Sequence, residues 1–288
     1  PFIIGYNVVS GIFRGLGDSR TPVYFIALAC GVNVGLDFLL VGGFGLGAAG
    51  AAIATVAAQG LSFWASLWYL ARKGFAFPFH RSHLRLDRRS LKFIFKLGLP
   101  LALQNVLVNL SFLIITAIVN AMGLIASAAV GVVEKLINFA MLPASAFASA
   151  VAPITAQNIG AGKPERALQG LRWGIGYSLV FGIAVCVASQ IWPQALAGIF
   201  SADPAVIAQA ADYLRSYSID CVLVSFVFPL NSYFSGCGRS IITAAHNLTV
   251  TFLVRIPVSY LLSRRAGVTL FQIGLAAPAA SLLSVLIC

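Results

Sequence analysis

Thr21 to Gly42 reads TPVYFIALACGVNVGLDFLLVG: 22 residues, apolar almost throughout, with a single carboxylate, Asp37. A run of about 20 apolar residues matches the thickness of a bilayer's hydrocarbon core. Further runs of this kind follow along the chain. The expected spans are 1–13, 22–42, 47–71, 97–121, 125–152, 168–192, 207–235, 241–263 and 269–288, nine in all. Composition agrees: 59% of residues are apolar and 9% charged, and mean hydropathy is +0.93. A soluble domain carries about a quarter charged residues. The fold class is therefore all-α, a polytopic membrane protein. Pro1 leads straight into Phe2-Ile3-Ile4, and Cys288 ends inside the run Ser281–Cys288. Both ends read as cut within helices, so a part of a longer protein is expected.

Basic residues orient the spans. Loops on one side hold Arg14, Arg20, Arg72, Lys73, Arg81, Arg85, Arg88, Arg89, Lys92, Lys96, Lys163, Arg166, Arg172 and Arg239, and loops on the other hold only Arg264 and Arg265. The excess of Lys and Arg marks the cytoplasmic face. The net charge of +11 thus reports cytoplasmic loops rather than a nucleic-acid partner. The segment 72–97 carries ten Lys, Arg or His among Phe75, Phe77, Phe79, Phe93 and Phe95, which suits a linker lying partly on the lipid surface.

An internal repeat divides the chain. SGIFRGLGDSR (Ser10–Arg20) is echoed by NSYFSGCGRS (Asn231–Ser240), and GAAIA (Gly50–Ala54) by GLAAP (Gly274–Pro278). Each echo follows its partner by about 221 to 224 residues with the same membrane orientation. Parallel repeats of this kind characterise two-lobed secondary transporters. The expected organisation is a partial N-terminal lobe (1–71), the linker (72–97) and a C-terminal lobe (98–288). Thr21-Pro22 and Asp203-Pro204 read as N-cap and first helical residue. Gly15 and Gly17 stand where helix C-caps belong. Pro143, Pro229 and Pro257 should kink their spans, and Pro153 sits at the end of one.

Ionisable groups in hydrocarbon cost about 3 kcal/mol or more each, so they mark function unless they neutralise one another. Glu134, Lys135, Asp220 and Arg255 fall at similar depth, on the order of 10–15 Å from the outer face at the rise of a helix. Their charges sum to zero, which fits either a structural network or a relay. Asp37 has no such basic partner. Asn33 lies one turn away on the same face. The turn Gly42–Gly47 brings the following span back alongside, placing Asp37 level with Thr55 and Asn33 level with Gln59. A carboxylate, two amides and a hydroxyl in one layer suit Na⁺. Low dielectric also favours the protonated form of a carboxylic acid, so such a group can carry a proton. Asn105 and Asn109, four apart, share a helix face that Gln104 adjoins, and these amides either line a cavity or join helices.

Enzyme signatures are absent. His80, His83 and His246 join no metal pattern, there is no Gly-x-Ser-x-Gly and no P-loop, and Gly15-x-Gly17 lacks the strand a dinucleotide site needs. The five cysteines have no metal-ligand or redox spacing and read as small buried apolar side chains. Aromatic content is ordinary and argues for no cation–π cage.

GIFRGLGDSRTP (Gly11–Pro22), NVGLD (Asn33–Asp37) and GLGAAGAAIATVAAQ (Gly45–Gln59) resemble the fourth to sixth helices of the multidrug and toxic compound extrusion (MATE) family. GLPLALQN (Gly98–Asn105) resembles the start of its seventh helix, and the stretch Glu134–Ala167 its eighth. SIDCVLVSFVFPLNSYFSGCGRS (Ser218–Ser240) resembles its tenth. The resemblance covers nearly the whole chain. It implies twelve helices in two six-helix lobes, of which the first three are not in this sequence. It implies no enzyme activity and no cofactor. The implied function is export of organic cations or amphipathic drugs, driven by Na⁺ or H⁺ entry, by a monomer in the bacterial cytoplasmic membrane. In that family an Asn and an Asp on the fifth helix and a Thr on the sixth form the cation site, with an acidic residue on the first helix; the matching residues are Asn33, Asp37 and Thr55. Members with a C-terminal site use acidic residues where this chain has Val108 and Val224, and Asp220 lies one turn from the second. The alternative is a flippase or exporter of lipid-linked or polysaccharide precursors in the same superfamily. That reading predicts a strongly cationic cavity, which the near-neutral membrane interior opposes.

Overall fold

The computed structural model describes residues 2–73, 87–265 and 267–288, and every regular element among them is helical. The chain divides into two compact units, 1–86 and 87–288.

The first unit holds α1 (Phe2–Gly15), α2 (Arg20–Asp37) and α3 (Gly47–Lys73), with a π-wound stretch, Phe38–Gly43, continuing α2. Tyr6, Val9, Phe13 and Phe25 form its core. The ring of Tyr69 meets Phe13 and Phe25 edge-on, with centroids 6.1 and 5.7 Å apart. Two hydrogen bonds cross between helices, Tyr6 Oη to the Pro22 carbonyl (2.9 Å) and Ser62 Oγ to the Phe25 carbonyl (3.0 Å). The start of α2 differs from expectation. The capping carboxylate belongs to Asp18, which accepts from the backbone N–H of Arg20 and Thr21 and from Thr21 Oγ1. Thr21 lies inside the first turn.

The second unit holds α4 (Arg88–Asn120), α5 (Leu124–Ala140), α6 (Leu142–Gly160), α7 (Pro164–Ile191), the short α8 (Pro193–Gly198) and α9 (Pro204–Gly236). There follow α10 (Ser240–Val250), a π-wound stretch Thr251–Arg255, α11 (Ile256–Ser263), α12 (Leu270–Gly274) and α13 (Ala276–Ile287). Long α9 is its hub, packing on α5, α6, α7, α12 and α13. It reaches α7 closely because small residues line the crossing. Ser225 Oγ donates to the Ser178 carbonyl (3.0 Å) opposite Gly182. Asp203 caps α9 as expected, its carboxylate accepting from Ala205 N at 2.9 Å.

Helix ends follow the glycine pattern, and a third copy joins the two seen in the repeat. Gly17, Gly162 and Gly238 have φ of +88°, +69° and +77°. After each, a backbone N–H reaches back five residues: Asp18 to Phe13 (2.9 Å), Lys163 to Asn158 (2.8 Å) and Arg239 to Phe234 (2.9 Å). This is the Schellman closure, which demands a left-handed residue and so a glycine. All three turns lie in loops that the basic residues assign to the cytoplasm.

Among the described residues, seven helical segments are long and apolar enough to cross a membrane, or eight with the bent pair α5–α6. Nine were expected. The difference is α1, whose 14 residues extend about 21 Å. The expected single span 125–152 is two helices bent by 41° at Met141, with Pro143 in the first turn of the second. Pro153 does not end that span, because α6 continues to Gly160. Large apolar side chains line the outside, such as Phe38 (77% exposed) and Leu124 (87%). That is the surface a bilayer solvates, and the chain is a multi-pass membrane protein.

The expected linker 72–97 is helical at both ends, since α3 runs to Lys73 and α4 starts at Arg88. Its middle, 74–86, lies outside the described residues. Asp87 caps α4, and hydrogen bonds hold its carboxyl below the usual carboxylate range. The Ser90 hydroxyl contributes most, then the backbone N–H of Ser90 and of Arg89.

Candidate functional site

In the first unit, Asn33, Thr55 and Gln59 line one cavity of about 220 Å³ among α1, α2 and α3. Asp37 lies one helical turn beyond, at the junction of α2 with the π-wound stretch, and is not part of the cavity wall. The expected layer of four oxygen-bearing groups is therefore a cluster of three with the carboxylate at its margin. Asp37 is half-buried, and its Oδ1 has no hydrogen-bond partner. Asn33 Nδ2 is likewise buried and unpartnered. Thr55 Oγ1 donates to the Ala51 carbonyl (2.9 Å), which leaves its oxygen lone pairs free to accept or ligate. The π winding widens the backbone by one residue per turn, a distortion found often at functional sites.

In the second unit, a larger cavity of about 690 Å³ lies among α4, α6, α9, α10 and α13. Gln104 and Asn105 stand in its wall on α4, on the stripe Leu101, Gln104, Asn105, Val108 and Phe112. Asn109 falls off that stripe, and its Nδ2 bonds back to the Asn105 carbonyl at 2.9 Å. Asn105 and Asn109 thus share a helix face as expected, and of the two only Asn105 lines the cavity.

The four expected intramembrane charges separate in the same way. Asp220 and Arg255 share the cavity wall. Glu134 does not line it but lies near enough to feel the charge of Arg255. Lys135 is exposed on α5 and takes no part, because adjacent residues project about 100° apart around a helix. The cavity wall therefore carries one carboxylate and one guanidinium, with Glu134 near Arg255 but outside the wall.

Arg255 is held from two sides. Its Nη2 donates to Tyr217 Oη (3.1 Å), and its guanidinium carbon sits 4.1 Å from the centre of the Phe112 ring. Composition gave no sign of this cation–π contact. The second π-wound stretch, Thr251–Arg255, delivers Arg255 to this position just before Pro257, which has no N–H to continue a regular ladder. Tyr217 and Phe112 were missed as site residues because a buried aromatic on a membrane helix has no signature of its own.

A protein-family model, MatE, matches residues 100–261. The probable multidrug resistance protein YpnP of Bacillus subtilis is 30% identical over 92% of this chain and 59% of its own length. YoeA of the same organism, also named a probable multidrug resistance protein, is 26% identical over all of this chain and 64% of its own. The chain thus spans about 60% of the length of these relatives. The crystal structure of MATE in complex with MaL6 superposes with a TM-score of 0.93 at 19% identity, over 99% of this chain and 65% of that one. With the family model covering more than half of its residues, the chain belongs to the MatE family.

Proposed function

We propose that the full-length protein is a cation-coupled antiporter of the bacterial cytoplasmic membrane. It exports organic cations or amphipathic drugs in exchange for Na⁺ or H⁺, as a monomer and without a cofactor. Asp37, Asn33 and Thr55 form the coupling site, with Gln59 on its inner side. The observation that supports this most is the unpaired oxygen of Asp37 one turn from the unpaired amide of Asn33. A half-buried carboxylate in a membrane helix, with no counterion among the described residues, is costly, and a cation or proton offsets that cost. The names of the two Bacillus relatives agree with a drug as the exported species.

Coupling requires that ion and substrate prefer different states of the protein. An ion bound at Asp37 from outside favours the state that releases drug outward, and loss of the ion inward resets the carrier. The test is ethidium accumulation in cells expressing the complete gene. We expect at least about a threefold lower steady-state signal than in control cells, abolished when the ion gradients are collapsed. Unchanged accumulation, with the protein present in the membrane, would oppose drug export and return attention to a flippase.

A further inference from the structure

The amino-terminal turns of α4 carry a charge pattern that spanning a bilayer does not require. At the rise of a helix, the 33 residues of α4 extend about 50 Å, and a hydrocarbon core takes about 30 Å of that. The expected span 97–121 fills the core, so Arg88–Lys96 stands in the headgroup layer on the cytoplasmic side. Arg88, Arg89, Lys92 and Lys96 are all exposed. At about 100° per residue they fall within one sector of about 100° around the helix. Phe93 and Phe95 border that sector on either side, 60% and 59% exposed, so neither ring packs into the protein. Leu99, also exposed, continues the sector toward the hydrocarbon. Between Asp37 and Glu134 the sequence holds one acidic residue, Asp87. Its carboxylate is taken up by the Ser90 hydroxyl and the backbone N–H groups of Arg89 and Ser90. The stripe thus gathers four cations whose one acidic neighbour in the sequence is already committed.

Cations that served only to orient the helix in the membrane need not share one face of it. Here they form a single stripe with an aromatic ring at each edge, an arrangement suited to a surface that meets phosphate and acyl chain together. Arginine and lysine stems lie along apolar surface while their charged ends stay at the phosphate level. We infer that this stripe binds anionic phospholipid of the inner leaflet, its four cations taking lipid phosphates and Phe93 and Phe95 entering the upper acyl region. The depth of α4 is thereby fixed, and with it the level of Gln104 and Asn105 in the cavity wall, about two turns further on. A soluble polyanion or an acidic protein segment would leave both rings in water. This binding depends on neither the transported species nor the coupling ion.

The test uses a matched pair of lipids, dioleoylphosphatidylglycerol and dioleoylphosphatidylcholine, which differ in headgroup charge alone among the features that matter here. Each is titrated into the purified full-length protein in a neutral detergent, and bound lipid is counted by native mass spectrometry. Wild-type protein should bind the phosphatidylglycerol at least about fivefold more tightly, since each basic residue at a lipid surface contributes a factor of about five. Lys92→Gln with Lys96→Gln should weaken phosphatidylglycerol about tenfold or more and phosphatidylcholine less than about twofold. Lys92→Arg with Lys96→Arg, which keeps both charges, should stay within about threefold of wild type. Should the Gln variant resist isolation, Arg88→Gln with Arg89→Gln carries the same expectation. Equal wild-type affinity for the two lipids would overturn the inference, as would unchanged phosphatidylglycerol affinity in the Gln variant. Displacement of the lipid by glycerol phosphate or by a polyuridine oligonucleotide at equal concentration would also overturn it, assigning the stripe to a soluble anion. Binding is read without any ion gradient, so its failure leaves ion-coupled export standing, and failure of export leaves the binding result readable.

Discussion

Full-length transporter carrying Asp37→Asn should lose ion-driven ethidium efflux by about tenfold or more while reaching the membrane at wild-type levels. Asparagine keeps the shape of the side chain and its capacity to accept a hydrogen bond, and it removes the charge and the titratable proton. If the site holds Na⁺, losing the carboxylate removes the charge that opposes dehydration of the ion. If it carries H⁺, the carrier group itself is gone. A tenfold loss corresponds to about 1.4 kcal/mol, modest for a charge in a low-dielectric site. Asn33→Ala and Thr55→Ala remove neutral ligands and should each cost less than Asp37→Asn. Undiminished ion-dependent efflux in Asp37→Asn would end the proposed role. The position of Asp37 at the rim of the Asn33–Thr55–Gln59 cavity makes this variant informative, because a structural role there would show as lower expression and not as uncoupled transport.

The largest expected effect on stability lies at Gly182. A Cβ added there would sit 2.6 Å from the Cys221 carbonyl oxygen and against Ser225 Oγ, at the crossing of α7 and α9. The obstacle is backbone, so it cannot swing aside as a flexible side chain can. Overpacking a tight contact costs about 1–3 kcal/mol, and leucine demands far more room than a methyl group. Gly182→Leu should therefore lower the thermal midpoint of the full-length protein in detergent by about 10 °C or prevent its isolation, and Gly182→Ala should give a smaller drop. Gly176→Leu is the control. It lies on the same helix, and a Cβ there meets nothing within 4 Å. Equal midpoints for Gly182→Leu and Gly176→Leu would mean that the close crossing does not hold the unit together.

Much of the architecture was legible because membrane helices are written in long apolar runs and basic loops. The repeat at Ser10–Arg20 and Asn231–Ser240 reappears as one shared hydrogen-bond closure, since Gly-x-Gly followed by a polar residue admits few alternatives at a helix end. The third copy, Gly160-Ala161-Gly162-Lys163, was open to the same reading and was passed over. Where the sequence misled, a local rule lost to a neighbour. Thr21-Pro22 has the form of a cap, yet the helix starts earlier, at Arg20, and the carboxylate of Asp18 accepts from the N–H groups of Arg20 and Thr21. The bend at Met141 divided an apolar run that hydropathy alone joins.

The sites were legible by residue type and less so by arrangement. A carboxylate in an apolar run announces itself, so Asp37 and Asp220 were found. Which partners they meet depends on helix phase, and two π-wound stretches shift that phase by a residue. The hairpin register placed Asp37 level with Thr55, whereas Asn33 shares the cavity with Thr55 and Gln59. Summing charges at one depth included Lys135, which the helix turns outward. Without it, Asp220 and Arg255 share the cavity wall, and Glu134 stays near Arg255 but outside that wall.

The central claim is that an ion gradient drives export through this fold. The most direct measurement is dye movement in proteoliposomes of the full-length protein, with Na⁺ and H⁺ gradients imposed one at a time and then reversed. One of the two gradients should drive ethidium against its concentration difference, and reversing that gradient should reverse the direction of dye movement. Dye movement at the same rate and direction with either gradient, or with none, would contradict the account.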